Sequence, residues 1–141
     1  MVLWLTDLGR GTSTRFTFGT FATAMAPSAI WSPDGSRVFF SLGPPGKYDL
    51  YQKSASGVKE QELLLESNDE MNFPMSCSPD GRFLLYANNR PTTGARELWL
   101  LPLERDKKPV PFARTPFNHS AGQFSPDGRL VLGSKRTAQR S

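Results

Sequence analysis

One cysteine among 141 residues excludes an internal disulfide framework. No candidate base lies beside it in sequence, so Cys77 reads as a small buried hydrophobe and not as a catalytic thiol. No run of 18 apolar residues is present, which leaves no helical membrane span to expect. Residues 1–8 are strand-like, carry Asp7, and lack the basic start and long apolar region of a secretory signal. The expectation is a cytoplasmic chain with no membrane partner. No Gly-x-Ser-x-Gly nucleophile elbow, kinase signature or phosphate-binding glycine loop occurs. The formal net charge is only +4, and much of it comes from Lys135, Arg136 and Arg140. No basic stripe interleaves with stacking aromatics, so a nucleic-acid partner is not expected.

Helix-like periodic segments are scarce too. What the chain has instead is 12 glycines, 12 prolines and many short apolar runs, the mark of an all-β fold. One sequence punctuates it three times. Ser-Pro-Asp-Gly follows Trp31, Cys77 and Phe124, and the three serines, Ser32, Ser78 and Ser125, are 46 and 47 residues apart. Pro presets φ at the first central position, Asp bonds local backbone, and Gly accepts φ > 0. Each turn is followed by a basic residue and an apolar run, as in Arg37-Val38-Phe39-Phe40, Arg82-Phe83-Leu84-Leu85 and Arg129-Leu130-Val131-Leu132. This is strand, tight turn, strand. The continuous apolar run suits a strand covered on both faces. A second register agrees: Leu3-Trp4, Leu50-Tyr51 and Leu98-Trp99 recur at nearly the same spacing, and their aromatic members are expected to pack between sheets. A repeat of this length built of four short strands is a propeller blade.

The Trp/Phe-Ser-Pro-Asp-Gly turn followed by Arg-apolar-apolar resembles the TolB-type, WD40-like β-propeller repeats of bacteria, over about residues 1–134. Similar repeats form propellers of bacterial receptor-like Ser/Thr kinases and of prolyl-oligopeptidase-like proteins. The resemblance implies fold and leaves function open, because propellers host many functions. Cys77 departs from the aromatic expected before the turn, leaving a smaller side chain where Trp31 and Phe124 fill the layer.

The phase of the repeat predicts an assembly. Residues 1–18 read as the third and fourth strands of a blade, 26–66 and 72–113 as two complete blades, and 119–134 as first and second strands. Residues 135–141 read as a flexible basic tail. The chain is thus a half β-propeller of about three blades: two complete blades and two complementary half-blades. Three blades do not easily close a ring, and open sheet edges drive association. A homodimer in which each chain completes the other's half-blades would close as a six-bladed propeller, and two-fold closure is the commonest symmetry. The alternatives are a truncated product and a fragment of a longer sensor propeller.

Propeller sites generally lie at a channel mouth, on the loops leading into the innermost strands. Here those loops are 23–27, 67–73 and 115–120. Their polar residues Asp69, Glu70, Asn72 and Asn118 are the candidate ligand-binding residues. His119, the only histidine, is the candidate metal ligand. Imidazole with carboxylate suits a divalent metal such as zinc, which could activate water. The plainer reading of His119 is a loop residue bonded to backbone. Asp34, Asp80 and Asp127 sit between Pro and Gly and read as turn formers. Two functions follow: a propeller module that binds a peptide, protein or small molecule, or a small metal-dependent ester or phosphoester hydrolase on the dimer axis.

Overall fold

The computed structural model describes residues 3–16, 28–94, 96–104, 106–113 and 119–135. Twelve strands form four antiparallel sheets, with no helix among the described residues. Strands β1 (Trp4–Asp7) and β2 (Thr12–Arg15) make a hairpin. Strands β3 (Ala29–Trp31), β4 (Arg37–Leu42), β5 (Asp49–Ser54) and β6 (Glu62–Leu65) form a meander, as do β7 (Met71–Cys77), β8 (Phe83–Asn89), β9 (Arg96–Pro102) and β10 (Val110–Ala113). Strands β11 (His119–Phe124) and β12 (Val131–Lys135) pair alone. The expected all-β half-propeller is what forms: two four-stranded blades between two half-blades, with the stack left open. Of the expected basic tail, Lys135 is the last residue of β12, and residues 136–141 lie outside the described residues.

The three Ser-Pro-Asp-Gly turns share one set of bonds. Gly35, Gly81 and Gly128 each donate N–H to the carbonyl of the turn serine at 2.8–2.9 Å, and each has φ between 72° and 76°. The serine hydroxyl donates to the Asp carboxylate, at 2.7 Å for Ser32–Asp34 and 2.6 Å for Ser78–Asp80 and Ser125–Asp127. The same serine oxygen accepts the N–H five residues on, from Arg37, Phe83 and Leu130. Ser and Asp therefore close the loop from inside. The expected turn-forming role of the three aspartates is their observed geometry.

These bonds favour the carboxylate. The hydroxyls of Ser32 and Ser36 and the Ser36 N–H hold Asp34 down to about 2. The Ser78 hydroxyl and Arg82 N–H lower Asp80, and the Ser125 hydroxyl and Arg129 N–H lower Asp127. An unfolded chain takes up the Asp34 proton near pH 4, whereas the folded turn keeps Asp34 ionised until about pH 2. The Asp34 contribution is thus complete above about pH 4 and is lost as pH falls towards 2, and those of Asp80 and Asp127 are lost in the same direction. Asp34→Asn should be less stable than the parent at pH 6 and lose melting temperature less steeply between pH 4 and 2. Equal slopes in a thermal scan would contradict this.

The second strands of the two complete blades, β4 and β8, are covered on both faces, and side-chain alternation decides which neighbour each residue meets. On β4, Val38, Phe40 and Leu42 face the first hairpin with Leu3, Leu5 and Phe16. Phe40 also stacks on Tyr51, centroids 5.9 Å apart. Phe39 points the other way and clusters with Leu84, Tyr86 and Leu101 of the next blade. On β8 the pattern repeats: Leu85 and Ala87 face β11 and β12, meeting Phe124 and Val131. Side-chain hydrogen bonds also tie neighbouring units. Lys53, buried, donates to the Phe16 carbonyl at 2.5 Å. Arg37 reaches across to the Gly81 carbonyl at 3.1 Å, while its other nitrogen donates to Gln52.

First strands β3, β7 and β11 lie along one edge of the stack. Ser28 donates to the Pro74 carbonyl at 2.8 Å, and the Phe124 N–H donates to Ser76 at 3.0 Å. Pro74 is tolerated because β7 is an edge strand with a register shift between Pro74 and Ser76. This edge is the inner wall of the half-ring.

Candidate functional site

The inner wall has two ends. At the end where the chain runs into β7, the loop residues singled out from sequence take three different roles. Asp69 is exposed and holds φ at 57°, a left-handed conformation that Asp tolerates. Glu70 is held by two neighbours: Asn88 Nδ2 donates at 2.5 Å and Arg90 Nε lies at 3.3 Å. Asn72 is buried, and its Oδ1 accepts the Asn88 amide at 2.8 Å. Backbone bonds Tyr48 N–H to Glu70 and Asn72 N–H to Tyr48, 3.0 and 3.1 Å, seal this loop against β5. The structure thus brings Glu70 and Asn72 together through Asn88 and leaves Asp69 apart on the surface.

Asn118 lies outside the described residues. His119 opens β11, its backbone paired with Lys135, and its side chain is outside the described set. Among the described residues no three His, Cys, Asp or Glu side chains gather as a metal site. Glu70, the carboxylate nearest to that role, is already bonded to an amide and a guanidinium.

A concavity lies at the opposite end, beside the turns. A groove of about 530 Å³ runs across the last residues of β3, β7 and β11. Trp31, Cys77 and Phe124, the residues before each turn serine, line it, with Met75, Ser76 and Gln123 beside them. Pro33, Pro79 and Pro126 form its rim. Trp31 is exposed, while Phe124 packs on the Leu85 cluster and Cys77 on the Phe39 cluster. The small Cys77 side chain between two aromatics leaves the space open. Burial pushes its thiol up to about 11, against a weaker opposing pull from the Arg37 guanidinium. The thiol is neutral at pH 7 and acts as an apolar wall. Polar handles are few: the Ser76 hydroxyl, which accepts the Phe124 N–H and keeps its own hydrogen to donate, and the exposed Gln123 amide. Trp31, Met75, Cys77 and Phe124 beside these polar groups suit a peptide or small organic ligand.

The residues of this groove were visible in the sequence as the position before each turn. Only the reading of their role differed: they look like layer-fillers when each blade is considered alone. The groove exists because three such positions meet on one edge.

The chain matches no protein-family model and no curated protein. It does match solved structures. A TolB-type protein of Agrobacterium tumefaciens aligns at 18% identity with a TM-score of 0.79, over 95% of this chain and 47% of that one. TolB of Acinetobacter baumannii aligns at 18% identity and TM-score 0.73, over 99% of this chain and 33% of that one. A prolyl endopeptidase aligns at 17% identity and TM-score 0.68, over 95% of this chain and 22% of that one. The chain therefore spans less than half the length of these proteins, and what it shares with them is the TolB-like β-propeller repeat fold, present here as an open half-ring.

Proposed function

We propose that the chain is a ligand-binding propeller module that takes a peptide or small organic molecule in the groove between Trp31 and Phe124, and that two copies complete each other's half-blades to close the ring. The observation that carries the binding reading is the groove itself. It is concave, lined by Trp31, Met75, Cys77 and Phe124 together with the hydrogen-bonding side chains of Ser76 and Gln123, and it sits at one end of the inner wall. The assembly reading is supported by the complementary half-blades, one made of β1 and β2, the other of β11 and β12.

The binding test is a titration with capped apolar tripeptides, read by isothermal calorimetry. Affinity should fall on the order of tenfold to a hundredfold in Trp31→Ala, as for a buried aromatic anchor. Binding that is indifferent to both Trp31→Ala and Gln123→Ala would place the ligand elsewhere. For assembly, sedimentation at micromolar concentration should return the mass of two chains.

A further inference from the structure

Three equivalent positions on the second strands behave differently. Phe39, Leu85 and Leu132 each lie four residues after a turn glycine. Phe39 and Leu85 are fully buried against the next sheet, whereas Leu132 is 76% exposed. The third strands show the reverse case. Tyr51 and Trp99 pack against the sheet before them, while their counterpart Trp4 is 57% exposed. Each exposed residue points to where a neighbouring sheet is missing.

The neighbour that would satisfy one is the half-blade that carries the other. In both complete blades the second and third strands pair in one register: Phe40 opposite Tyr51, and Tyr86 opposite Trp99. Carried to the open strands, this sets Gly133 opposite Trp4 and Leu132 opposite Leu5. Opposed residues share a face. Leu5 already faces the Phe40 cluster, so Leu132 would face it too.

A space waits there. The first hairpin covers that face of its neighbour over β4 and β5 but leaves β3 bare, with Ala29 and Trp31 exposed. A cavity of about 120 Å³ lies at this place, lined by Trp4, Leu5, Phe16, Ala29, Ile30 and Val38. A dry cavity of roughly 150 Å³ admits benzene, so an isobutyl group fits this one. The phase matches as well. Leu85 packs on Gly122, whose absent Cβ would stand 2.7 Å from Leu85 Cδ2. Gly122 lies three residues before its turn serine, and Ala29 holds the same position before Ser32. Ala29 carries the Cβ that Gly122 lacks, so the flexible tip of an incoming Leu132 must turn beside it; before Ser78 the position is held by Met75. Each open strand keeps its charge at one end, Asp7 on β1 and Lys135 on β12, so the stretches that would pair, Trp4-Leu5-Thr6 and Val131-Leu132-Gly133, are uncharged.

We infer that β12 of one copy adds antiparallel to β1 of a second copy with Gly133 opposite Trp4 and Leu132 opposite Leu5, so that Leu132 fills the second copy's cavity above Ala29 and the Trp4 ring covers Gly133. This rests on the two-copy reading above and fixes its register.

The test places cysteines at positions 5 and 132 in a Cys77→Ser background. Directly opposed Cβ atoms lie about 4.5–5.5 Å apart, within disulfide reach, and diagonal neighbours at about 7–8 Å are not. Leu5→Cys and Leu132→Cys chains, mixed and oxidised, should give a two-chain band that neither gives alone; Leu3→Cys with Leu132→Cys should not. A two-chain mass without that band overturns the register and leaves assembly standing. A one-chain mass overturns both, as does closure by any other segment. Leu132→Ala should weaken association on the order of a hundredfold, as for a leucine truncated in a core. Its own chain should keep an unchanged circular dichroism spectrum, because Leu132 is exposed there. Unchanged association in that variant would also overturn the inference.

Discussion

Phe39→Ala should lower the stability of the fold by about 3–5 kcal/mol. The phenyl ring is fully buried on β4 and looks across to Leu84, Tyr86 and Leu101 of the next blade. It is a central contact between the two complete sheets, and the Arg37 guanidinium lies 5.1 Å from its centroid on the way to Gly81. Truncation removes the ring and leaves a void that two sheets, each held by its own ladder, cannot readily collapse. Total stabilities of domains run about 5–15 kcal/mol, so the loss would be a large fraction of the whole. Urea titration at one fixed protein concentration checks it, with Leu63→Ala as the comparison. Leu63 is largely exposed on β6, and its loss should cost less than about 1 kcal/mol. Similar midpoints for the two variants would show that the sheets do not adhere through Phe39.

Gly43→Ala should be the most damaging of the glycine substitutions, at about 2–3 kcal/mol. Gly43 follows β4, and a Cβ built there would stand 2.0 Å from the Lys47 carbonyl oxygen and 3.1 Å from its carbon. Backbone cannot swing aside as a side chain can. To make room, the loop must move, and with it Tyr48, whose N–H and carbonyl bond Glu70 and Asn72 across the blades. The clash therefore spreads from one turn to a junction between sheets. Gly46→Ala separates this from conformational strain. Gly46 has φ of 87° but open space around its missing Cβ, so alanine there should cost only about 1–2 kcal/mol. A Gly43→Ala melting temperature at or above that of Gly46→Ala would refute the steric account.

The repeat was legible because Pro-Asp-Gly is a turn by local chemistry alone. Ser32, Pro33, Asp34 and Gly35 need no distant partner to make their bonds, so the phase of every strand follows from them. The two-faced burial of β4 and β8 was legible too, since unbroken apolar runs allow little else. What sequence could not show was which polar loop residues are spoken for. Asn72 reads as a mouth residue in a polar stretch. It is buried because Asn88, sixteen positions on, comes to lie opposite it. Glu70 likewise finds Asn88 and Arg90 only after β7 and β8 have paired. The groove escaped for the same reason: Trp31, Cys77 and Phe124 are 46 and 47 residues apart in sequence and neighbours only on the inner wall.

Each sheet holds itself together by its own hydrogen-bond ladder and grips its neighbours chiefly through side chains, with Tyr48 supplying the backbone bridge to Met71. Such a stack behaves as a short one-dimensional lattice with nearest-neighbour couplings. Its two inner units each have two couplings, and its flanking hairpins have one. Opening therefore proceeds from the flanks inward, and cooperativity across the molecule depends on how strongly each unit holds the next. Closing the lattice into a loop would give every unit two couplings and leave no flank from which to fray.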